Sequence, residues 1–245
     1  MVNSGRGGIA GKSPVVRARK SAPPSSRVRL QLDERRTQLL EAGRALFNAR
    51  AYDDISIDDI AEAAGVSKGL LYHYFPSKRR FFVEAVRAAS AHMLEVTETE
   101  PRPSDGQPHR ERELLPAERL RVGLDAYLDY VDQNARAYAA LFRSGLGVDP
   151  EIWTIVEETR QAIIDRIVRG LGVENPLPLI RVALRGWIGT VEAASVDWIE
   201  HRDVPREKLR ELLASALEAS FLAVASLGGV PIEELTPAPR QALPR

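Results

Sequence analysis

The sequence predicts an all-α protein in which an N-terminal three-helix helix-turn-helix domain is joined by a linking helix to a larger helical domain. Three observations support this prediction. Apolar residues recur at steps of three and four along most of the chain, and no stretch shows the alternation typical of a β-strand. Capping residues between Ser56 and Lys78 indicate two short helices around a tight turn. The 245 residues, 44% of them hydrophobic, can bury a full core.

The formal net charge is zero, but the two parts of the chain differ in sign. Residues 1–90 contain 16 Lys and Arg against 9 Asp and Glu, a balance of +7, whereas residues 91–245 contain 18 against 25, a balance of −7. A concentration of basic residues in one part of a protein is typical of a surface that binds a polyanion. The asymmetry therefore predicts that the N-terminal part meets nucleic acid.

Composition also restricts the chemistry and the cellular setting. The absence of cysteine excludes disulfides, thiolate metal sites and cysteine nucleophiles, and it suits a reducing compartment. No apolar run approaches about 18 residues, so we expect no membrane span. The basic N-terminus lacks the apolar core of a secretory signal. We therefore expect a cytoplasmic protein without a membrane partner.

The N-terminal segment, residues 1–32, is rich in Gly, Ser, Pro, Lys and Arg and contains no acidic residue. This composition predicts a disordered basic arm. Two roles are compatible with such an arm. It is either a solvated tail or a segment that lies along phosphates or enters a minor groove and adds salt-dependent affinity.

The first helix is predicted to begin near Asp33 and to end near Arg50. Its apolar face contains Leu39, Leu40, Gly43, Leu46 and Phe47. These residues supply the core of the small domain. Arg35 and Arg36, at the start of the helix, either contact phosphates or form a plain solvated face.

The helix-turn-helix is predicted at residues 55–74. Ser56 is a good N-cap, and Asp59 three residues later can complete the cap. Gly65 tolerates the left-handed conformation needed just past a helix end, and Ser67 can cap a second short helix. The two helices with their turn therefore form a unit suited to DNA.

The second helix of this unit, from Lys68 to about Tyr74, is too polar to serve mainly as core. Tyr72 and His73 lie between those two residues, and all four side chains can reach phosphates or base edges in a major groove. The backbone N–H groups at its start, from Ser67 to Gly69, can also meet phosphate. Leu71 and Phe75 are expected in the core.

A fourth helix is predicted from Lys78 to about Thr99, capped by Ser77. Its first turn contains Lys78, Arg79 and Arg80, although the helix dipole favours acidic residues there. This locally unfavourable choice suggests an anionic partner, and we expect a DNA phosphate.

Proline and glycine residues divide the remaining chain into a loop at 100–116 and five further helices. We predict these helices from residue 118 onward, at 137–143, at 151–170, at 178–201 and at 205–227. The last residues, 229–245, are expected to form a flexible tail.

Residues 35–86 contain a long pattern that is more specific than a short motif. Its segments are Leu39–Phe47, Tyr52, Ser56–Ala61, Ala64–Ser67, Leu71–Tyr72 and Phe75–Lys78. This pattern resembles the DNA-binding domain of the TetR family of transcriptional regulators. The resemblance assigns a phosphate contact to the position of Lys78. We accordingly expect DNA contacts from Ser67, Lys68, Gly69, Tyr72, His73, Tyr74 and Lys78.

Two positions depart from the usual pattern of the family. Leu70 stands where Thr is frequent, which removes a hydroxyl and offers apolar packing, for instance against a thymine methyl. Ala51 replaces the Gly that usually precedes Tyr52, which argues against a left-handed turn there. The operator therefore cannot be transferred from relatives.

The domain boundaries follow from these patterns. We place a DNA-binding domain at residues 33–92 and a helical effector-binding and dimerisation domain at 93–228. The resemblance implies that the last two helices pair with those of a second copy. A two-fold dimer then presents two recognition helices to a palindromic operator about 34–36 Å apart. The candidate interface residues are Gly186, Trp187, Gly189, Leu213 and Phe221. The alternative is that this face packs only on its own domain.

The middle helices contain large or adaptable side chains that, by resemblance, surround an effector pocket. The candidates are Met93, Tyr127, Tyr130, Tyr138, Phe142 and Trp153. Aromatic residues at helical spacing are also typical of an ordinary core. Their apolar character favours a hydrophobic or amphipathic effector, such as a fatty acyl compound or a drug.

The sequence shows little that indicates catalysis. The four histidines are scattered, and no phosphate-binding loop or nucleophile elbow occurs. We expect no catalytic residue, metal or cofactor, and interpret the chain as a homodimeric repressor released by a small molecule. The alternatives are an activator of the same family, a helical ligand-binding or enzyme domain with a vestigial helix-turn-helix, and an architectural DNA-binding protein without an effector.

Overall fold

The computed structural model describes four stretches of the chain, residues 24–98, 116–143, 149–171 and 177–229. Several predicted features lie outside them. These are most of the basic arm, nearly all of the loop predicted at 100–116, and the predicted tail beyond residue 229. The structural statements below concern the described stretches.

The described part of the chain consists of nine α-helices and a 3₁₀ turn at Tyr52–Asp54, without a strand. The helices are α1 (Pro24–Ala49), α2 (Ile57–Ala63), α3 (Lys68–Tyr74), α4 (Lys78–Val96), α5 (Pro116–Gln133), α6 (Ala135–Arg143), α7 (Pro150–Leu171), α8 (Pro178–His201) and α9 (Arg206–Gly228). The all-α prediction is confirmed. From α4 onward, the observed ends agree with the predicted ones within three residues.

The start of α1 differs from the prediction. α1 begins at Pro24 rather than near Asp33, so residues 24–32 are helical and not part of a disordered arm. Proline suits the first turn of a helix because its φ is already helical and its missing N–H is not required there. The chain divides into two compact units, Met1–Thr37 and Gln38–Arg245. The helix start belongs to the first unit, and the cores and sites described below belong to the second.

The helix-turn-helix region packs around its own apolar core. Leu71, Phe75 and Phe81 are completely buried in it. Gly43 of α1 lies so close to Phe81 of α4 that a Cβ at this position would overlap the ring. Three residues of α7 belong to the same core, namely Ile152, Ile155 and Val156. The first turns of α7 therefore pack with the helix-turn-helix region, although they are distant from it in sequence.

A second core lies between α5, α7, α8 and α9, with Met93 of α4 at its edge. Leu128, Leu184 and Leu213 are completely buried there. The indole of Trp187 donates a hydrogen bond to the backbone oxygen of Leu213 at 2.8 Å and so connects α8 to α9. This core supports the walls of the cavity described below.

Helix α9 is long and apolar enough, by length and composition, to cross a membrane, with a mean hydropathy of 1.4. This differs from the sequence-based prediction, in which no membrane span is expected because no apolar run approaches about 18 residues. Leu213, Leu217 and Phe221 nevertheless turn into the second core, as one face of a core helix does. Length and composition alone are therefore weak evidence for a membrane span here.

Candidate nucleic-acid interface and internal cavity

The two short helices are capped as the sequence predicts. The hydroxyl of Ser56 accepts from the N–H of Asp59 at 3.1 Å, and the Asp59 carboxylate accepts from the N–H of Ser56 at 2.6 Å. Gly65 has φ +63°, and the Ser67 hydroxyl accepts from the third N–H of α3 at 3.2 Å. Hydrogen bonds from Ser56 and Arg50 hold the pKa of Asp59 well below its usual value. These caps define where α2 and α3 begin.

Helix α3 presents its polar side to solvent. Leu71 is completely buried under it, while the Tyr72 side chain is 43% exposed. The Lys68 ammonium lies 2.8 Å from the Asp58 carboxylate, and this hydrogen bond raises the pKa of Lys68. The predicted contact residues of this helix and its cap are exposed or half-buried, namely Ser67, Lys68, Gly69, Tyr72, His73 and Tyr74. The polar face of α3 can therefore enter a DNA groove while Leu71 stays buried in the core.

Gly69 is surrounded by open space. A Cβ at this position would meet nothing within 4 Å, and the φ of the residue is not in the left-handed region. Glycine inside a helix costs about 0.5–1 kcal/mol relative to alanine. No contact among the described residues of the subunit requires a glycine at this position. The missing side chain does allow another molecule to approach the start of α3 closely.

Lys78 lies beside the 3₁₀ turn that follows α1. Its ammonium is 4.1 Å from the centroid of the Tyr52 ring, in the geometry of a cation–π contact. Ala51 has φ −66° and ψ 150°, so the backbone before Tyr52 is extended and not left-handed. The prediction that Ala51 argues against a left-handed turn before Tyr52 is thus confirmed. The tyrosine ring holds the lysine at the start of α4 without neutralising its charge.

The other two cations of this turn have partners within the chain. Arg79 binds both carboxylate oxygens of Asp149, at 2.7 and 2.8 Å, and Arg80 binds Glu151 at 2.5 Å. Arg80 also pairs with Glu84 at 2.6 Å. The prediction that this turn needs an external anion is therefore wrong for Arg79 and Arg80. The sequence could not show the pairs with Asp149 and Glu151, because about 70 residues separate those partners.

A cavity of about 610 Å³ lies between α4, α5, α6, α7, α8 and α9. Its lining includes five of the six candidate effector residues, namely Met93, Tyr127, Tyr130, Tyr138 and Phe142. Trp153 was assigned wrongly, because its side chain is 50% exposed outside the cavity and lies against Arg160. The volume is within the ordinary range for small-molecule sites.

The middle of the cavity contains polar groups within an otherwise apolar wall. The hydroxyls of Tyr127 and Tyr138 are hydrogen-bonded to each other. Burial raises the pKa of Tyr127 to about 12 and that of Tyr138 well above its usual value, so both phenols remain neutral. Arg160 makes two hydrogen bonds to Glu192, at 2.8 and 2.5 Å. No local pattern in the sequence indicates this ion pair, because its partners are 32 residues apart.

One end of the cavity reaches the core of the helix-turn-helix region. Its lining there includes Phe47 of α1 and Phe82 of α4. Asn134, which separates α5 from α6, also lines this end and accepts a hydrogen bond from Asn48 of α1 at 3.1 Å. At the other end lie Arg166 and the last turn of α4, where Arg166 donates to the backbone oxygen of Leu94 at 2.9 Å. α4 therefore forms a wall of the cavity along most of its length.

The candidate interface residues separate into two groups. Trp187, Leu213 and Phe221 are buried within the subunit, at 6%, 0% and 6% exposure, so their assignment to an intersubunit surface is wrong. They lie on the inner face of their helices, which the sequence alone could not distinguish from an outer one. Gly186 and Gly189 are exposed, and a Cβ on either would meet nothing within 4 Å.

The outer faces of α8 and α9 carry two exposed stripes, and the candidate interface residues Gly186 and Gly189 lie in the first of them. One contains Val182, Gly186, Gly189 and Ala193, and the other contains Leu212, Ser215, Ala219, Leu222 and Ser226. All nine residues are exposed, at alternating steps of three and four. This spacing is typical of helices that pair along their length.

No group of three His, Asp or Glu side chains suited to a metal ion occurs among the described residues.

Two sequence profiles match most of the described chain. Residues 39–85 match bacterial regulatory proteins of the tetR family, and residues 116–219 match the tetracyclin repressor-like C-terminal domain. A solved TetR-family transcriptional regulator from Streptomyces coelicolor is 32% identical, with a TM-score of 0.71 over 80% of this chain and 83% of that one. The chain is a TetR-family transcriptional regulator. Its helix-turn-helix and its larger helical domain therefore correspond to the two domains of this family.

Two further proteins similar to this TetR-family regulator are informative. The transcriptional activator FasR of Mycolicibacterium smegmatis is 29% identical over 150 residues, which are 60% of this chain and 64% of FasR. The match thus spans less than two thirds of the relative's length. FadR of Bacillus subtilis, solved in complex with stearoyl-CoA, is 19% identical with a TM-score of 0.56 over 75% of this chain and 96% of FadR. The similarity to FadR shows the fold alone.

Proposed function

We propose that this TetR-family regulator is a cytoplasmic, homodimeric repressor, not an enzyme, which binds a palindromic operator in double-stranded DNA and is released by a hydrophobic or amphipathic effector. The observation that carries the proposal is the continuity of the 610 Å³ cavity with the DNA-binding region. Phe47 and Phe82 belong to the apolar core of that region and also line the cavity. A ligand in the cavity therefore touches the elements that carry α3.

The DNA contacts are proposed at α3, at its cap and at Lys78. Exposed Tyr72 and His73 would reach base edges, and the N–H groups near Gly69 would approach a phosphate. Lys78 lies at the N-terminus of α4, where a phosphate would also be favoured by the helix dipole. Lys68 would exchange its pairing with Asp58 for DNA when the helix docks.

The homodimer is proposed to form through the outer stripes of α8 and α9. Gly186 and Gly189 would let the helices of two copies approach closely, while Leu212 and Leu222, 63% and 60% exposed, would supply apolar contact. A closed two-fold pairing buries the same surface on both copies. This replaces the buried residues Trp187, Leu213 and Phe221 as the proposed contact surface.

The effector is proposed to be a fatty acyl compound with an anionic end. Most of the cavity wall is apolar, and its charged described residues are Arg44, Arg119, Arg160 and Arg166 against Glu192 and Glu218. Arg160 and Arg166 pair with Glu192 and Glu98, whereas Arg44 contacts the amide oxygen of Asn134 at 3.5 Å, so an anionic end of an apolar effector would be favoured near Arg44. The stearoyl-CoA of FadR, a protein with the same fold, is a molecule of that chemistry.

Release would follow from a difference in affinity between two arrangements of the dimer. An operator requires α3 of both subunits at the spacing of successive major-groove turns. An effector that binds better when α4 has moved away from this arrangement lowers DNA affinity by the same factor, since the two equilibria are linked.

The proposal is tested with a duplex selected from random sequence by the wild-type protein. We expect fluorescence anisotropy to show that stearoyl-CoA weakens binding of this duplex, while coenzyme A alone has little effect. We also expect stearoyl-CoA to raise the melting temperature of the protein. Absence of any preferred duplex would refute the DNA-binding role. A preferred duplex whose affinity no acyl compound changes would refute the effector.

A second candidate, a transcriptional activator, is favoured by the name of one relative, because FasR is an activator. The sign of regulation depends on the position of the operator relative to the promoter. A reporter gene placed behind the selected operator in its genomic context decides this point. Higher expression in the presence of the protein would identify an activator and contradict repression.

A further inference from the structure

The first turn of α4 and the first turn of α7 meet at an ion cluster formed by Arg79, Arg80, Asp149 and Glu151. Arg79 makes two hydrogen bonds to Asp149, at 2.7 and 2.8 Å, and lies 3.3 Å from Glu151. Arg80 binds Glu151 at 2.5 Å. These contacts join two segments that are about 70 residues apart and belong to different parts of the molecule.

The cluster resolves an electrostatic problem of both helices. Each helix N-terminus carries a partial positive charge, so two such ends repel each other and also disfavour nearby arginines. The carboxylate of Asp149 accepts from the N–H of Glu151 at 2.9 Å and from Arg79 at the same time. The Asp149 carboxylate therefore compensates both the partial positive charge at the start of α7 and the charge of the Arg79 guanidinium. The hydrogen bond with Arg79 lowers the pKa of Asp149, so the carboxylate stays ionised.

The bidentate geometry fixes the orientation of α4 as well as its charge. A guanidinium that binds both oxygens of one carboxylate is held in plane, unlike a lysine, which acts as a point charge. Arg79 directly follows Lys78, the proposed phosphate contact. Directly beneath, Ile152 and Ile155 of α7 pack in the same core as Phe81 of α4. Apolar packing below and ion pairs above therefore hold the first turn of α4 against α7.

We propose that Asp149 and Glu151 are positioning residues for DNA binding, which increase operator affinity by holding the first turn of α4, and thus Lys78, in place. They would do so without touching DNA. The inference rests on the proposed DNA contact of Lys78. Because later turns of α7 line the cavity with Val156, Ile163 and Arg166, the same cluster connects the effector site to that contact.

Removal of the Asp149 charge should change DNA affinity in opposite directions, depending on whether Asp149 positions α4 or only repels phosphates. Removal of an acidic charge near DNA ordinarily raises affinity, because phosphates repel carboxylates and a released Arg79 could itself bind a phosphate. If Asp149 positions α4, its removal must instead lower affinity. The sign of the change therefore separates the two explanations.

The test compares Asp149→Asn, just before α7, with Asp165→Asn, which removes the same charge from an exposed position within α7. On the duplex selected by the wild type, we expect Asp149→Asn to bind about three- to fivefold more weakly, as expected for loss of a surface ion-pair interaction. Asp165→Asn should bind like the wild type. Circular dichroism should show that both variants are fully folded at the temperature of the binding measurement, so that the fraction of folded protein does not account for the difference.

A double-mutant cycle provides the second measurement. If Asp149 acts through Arg79, the variant Arg79→Gln/Asp149→Asn should bind no more weakly than Arg79→Gln alone. Glu151→Gln should weaken binding in the same direction as Asp149→Asn. Equal or tighter binding by Asp149→Asn, or strictly additive losses in the cycle, would overturn the inference. Failure of the wild type to prefer any duplex would instead refute the proposed function.

Discussion

Gly43 and Gly69 are both helical glycines, and their surroundings explain them in opposite ways. A Cβ on Gly43 would overlap the ring of Phe81, whereas a Cβ on Gly69 would meet nothing within 4 Å. The first glycine is required by the packing of α1 on α4. The second has no explanation within the subunit and lies on the surface proposed to meet DNA.

We expect Gly43→Ala to destabilise the protein. Forcing a methyl group into a packed core costs about 1–3 kcal/mol, which exceeds the gain of up to about 1 kcal/mol in helix propensity. Urea unfolding followed by circular dichroism should show a lower midpoint than that of the wild type. A midpoint equal to that of the wild type would mean that Phe81 moves aside without cost.

Gly69→Ala should separate stability from DNA binding. We expect the free energy of unfolding to rise by about 0.5–1 kcal/mol, because alanine is the better helix former and nothing obstructs its methyl group. The affinity for the selected duplex should fall, because the methyl group would stand between the helix and the DNA backbone. Unchanged affinity would remove Gly69 from the proposed DNA contacts.

Asp59 should make the helix-turn-helix sensitive to acid. Its folded-state pKa is lowered by Ser56 and Arg50, so its stabilising contribution is present above the unfolded value of 3.8 and is lost as pH falls through the lower folded value. Asp59→Asn should therefore melt below the wild type at pH 7, and this difference should shrink progressively below about pH 4. A difference in melting temperature that stays constant down to pH 2 would contradict this origin.

At the scale of elements, α8 and α9 each have an inner face that packs and an outer face that is exposed. Trp187 and Leu213 define the inner faces through their hydrogen bond, and Gly186 and Leu222 belong to the outer stripes. Apolar residues on both faces of a helix are expected when each face packs against another part of the protein or against a second subunit. The second core accounts for one face, and the proposed homodimer accounts for the other.

We expect Leu222→Glu to convert the dimer into monomers. Burying an uncompensated charge in an interface costs about 3–5 kcal/mol, which corresponds to a more than hundredfold rise in the dimer dissociation constant. Sedimentation velocity at micromolar concentration should show the change. Val122→Glu, which alters an exposed valine of α5, is the matched control and should leave the sedimentation coefficient unchanged. A dimeric Leu222→Glu variant would place the interface elsewhere.

At the scale of the whole molecule, α4 and α7 are each shared between the two parts of the protein. α4 starts at Lys78 and lines the cavity from Phe82 to Thr97, while α7 starts in the first core and continues along the cavity. Two shared helices provide a physical path between the effector and α3. Their relative position is the quantity that an effector would change.

Ala89→Trp should interfere with the effector but not with folding. Ala89 lies on the cavity side of α4, so an indole there would fill part of the cavity in which the effector is proposed to bind. We expect stearoyl-CoA to lose most of its effect on the melting temperature and on duplex binding. Ala88→Trp changes the exposed neighbouring residue and should respond like the wild type. Equal responses of the two variants would contradict effector binding in this cavity.

Local chemistry in the sequence determined much of the fold. The caps at Ser56, Ser67 and Ser77, the left-handed Gly65 and the periodic apolar residues act over a few positions, so the sequence predicts most helices and their ends. The polar face of α3 follows from the same local pattern. The start of α1 was misplaced because Pro24 is compatible with both an arm and a helical first turn.

The tertiary structure alone decided which face of each helix is buried and which distant charges meet. Trp187 and Phe221 have the same spacing whether they face the core or a second copy, and Trp153 has the same aromatic character inside or outside a cavity. Arg79 and Asp149 meet only because α7 packs against α4. Helical periodicity defines a face but not its partner, since the partner is set by packing between segments far apart in the chain.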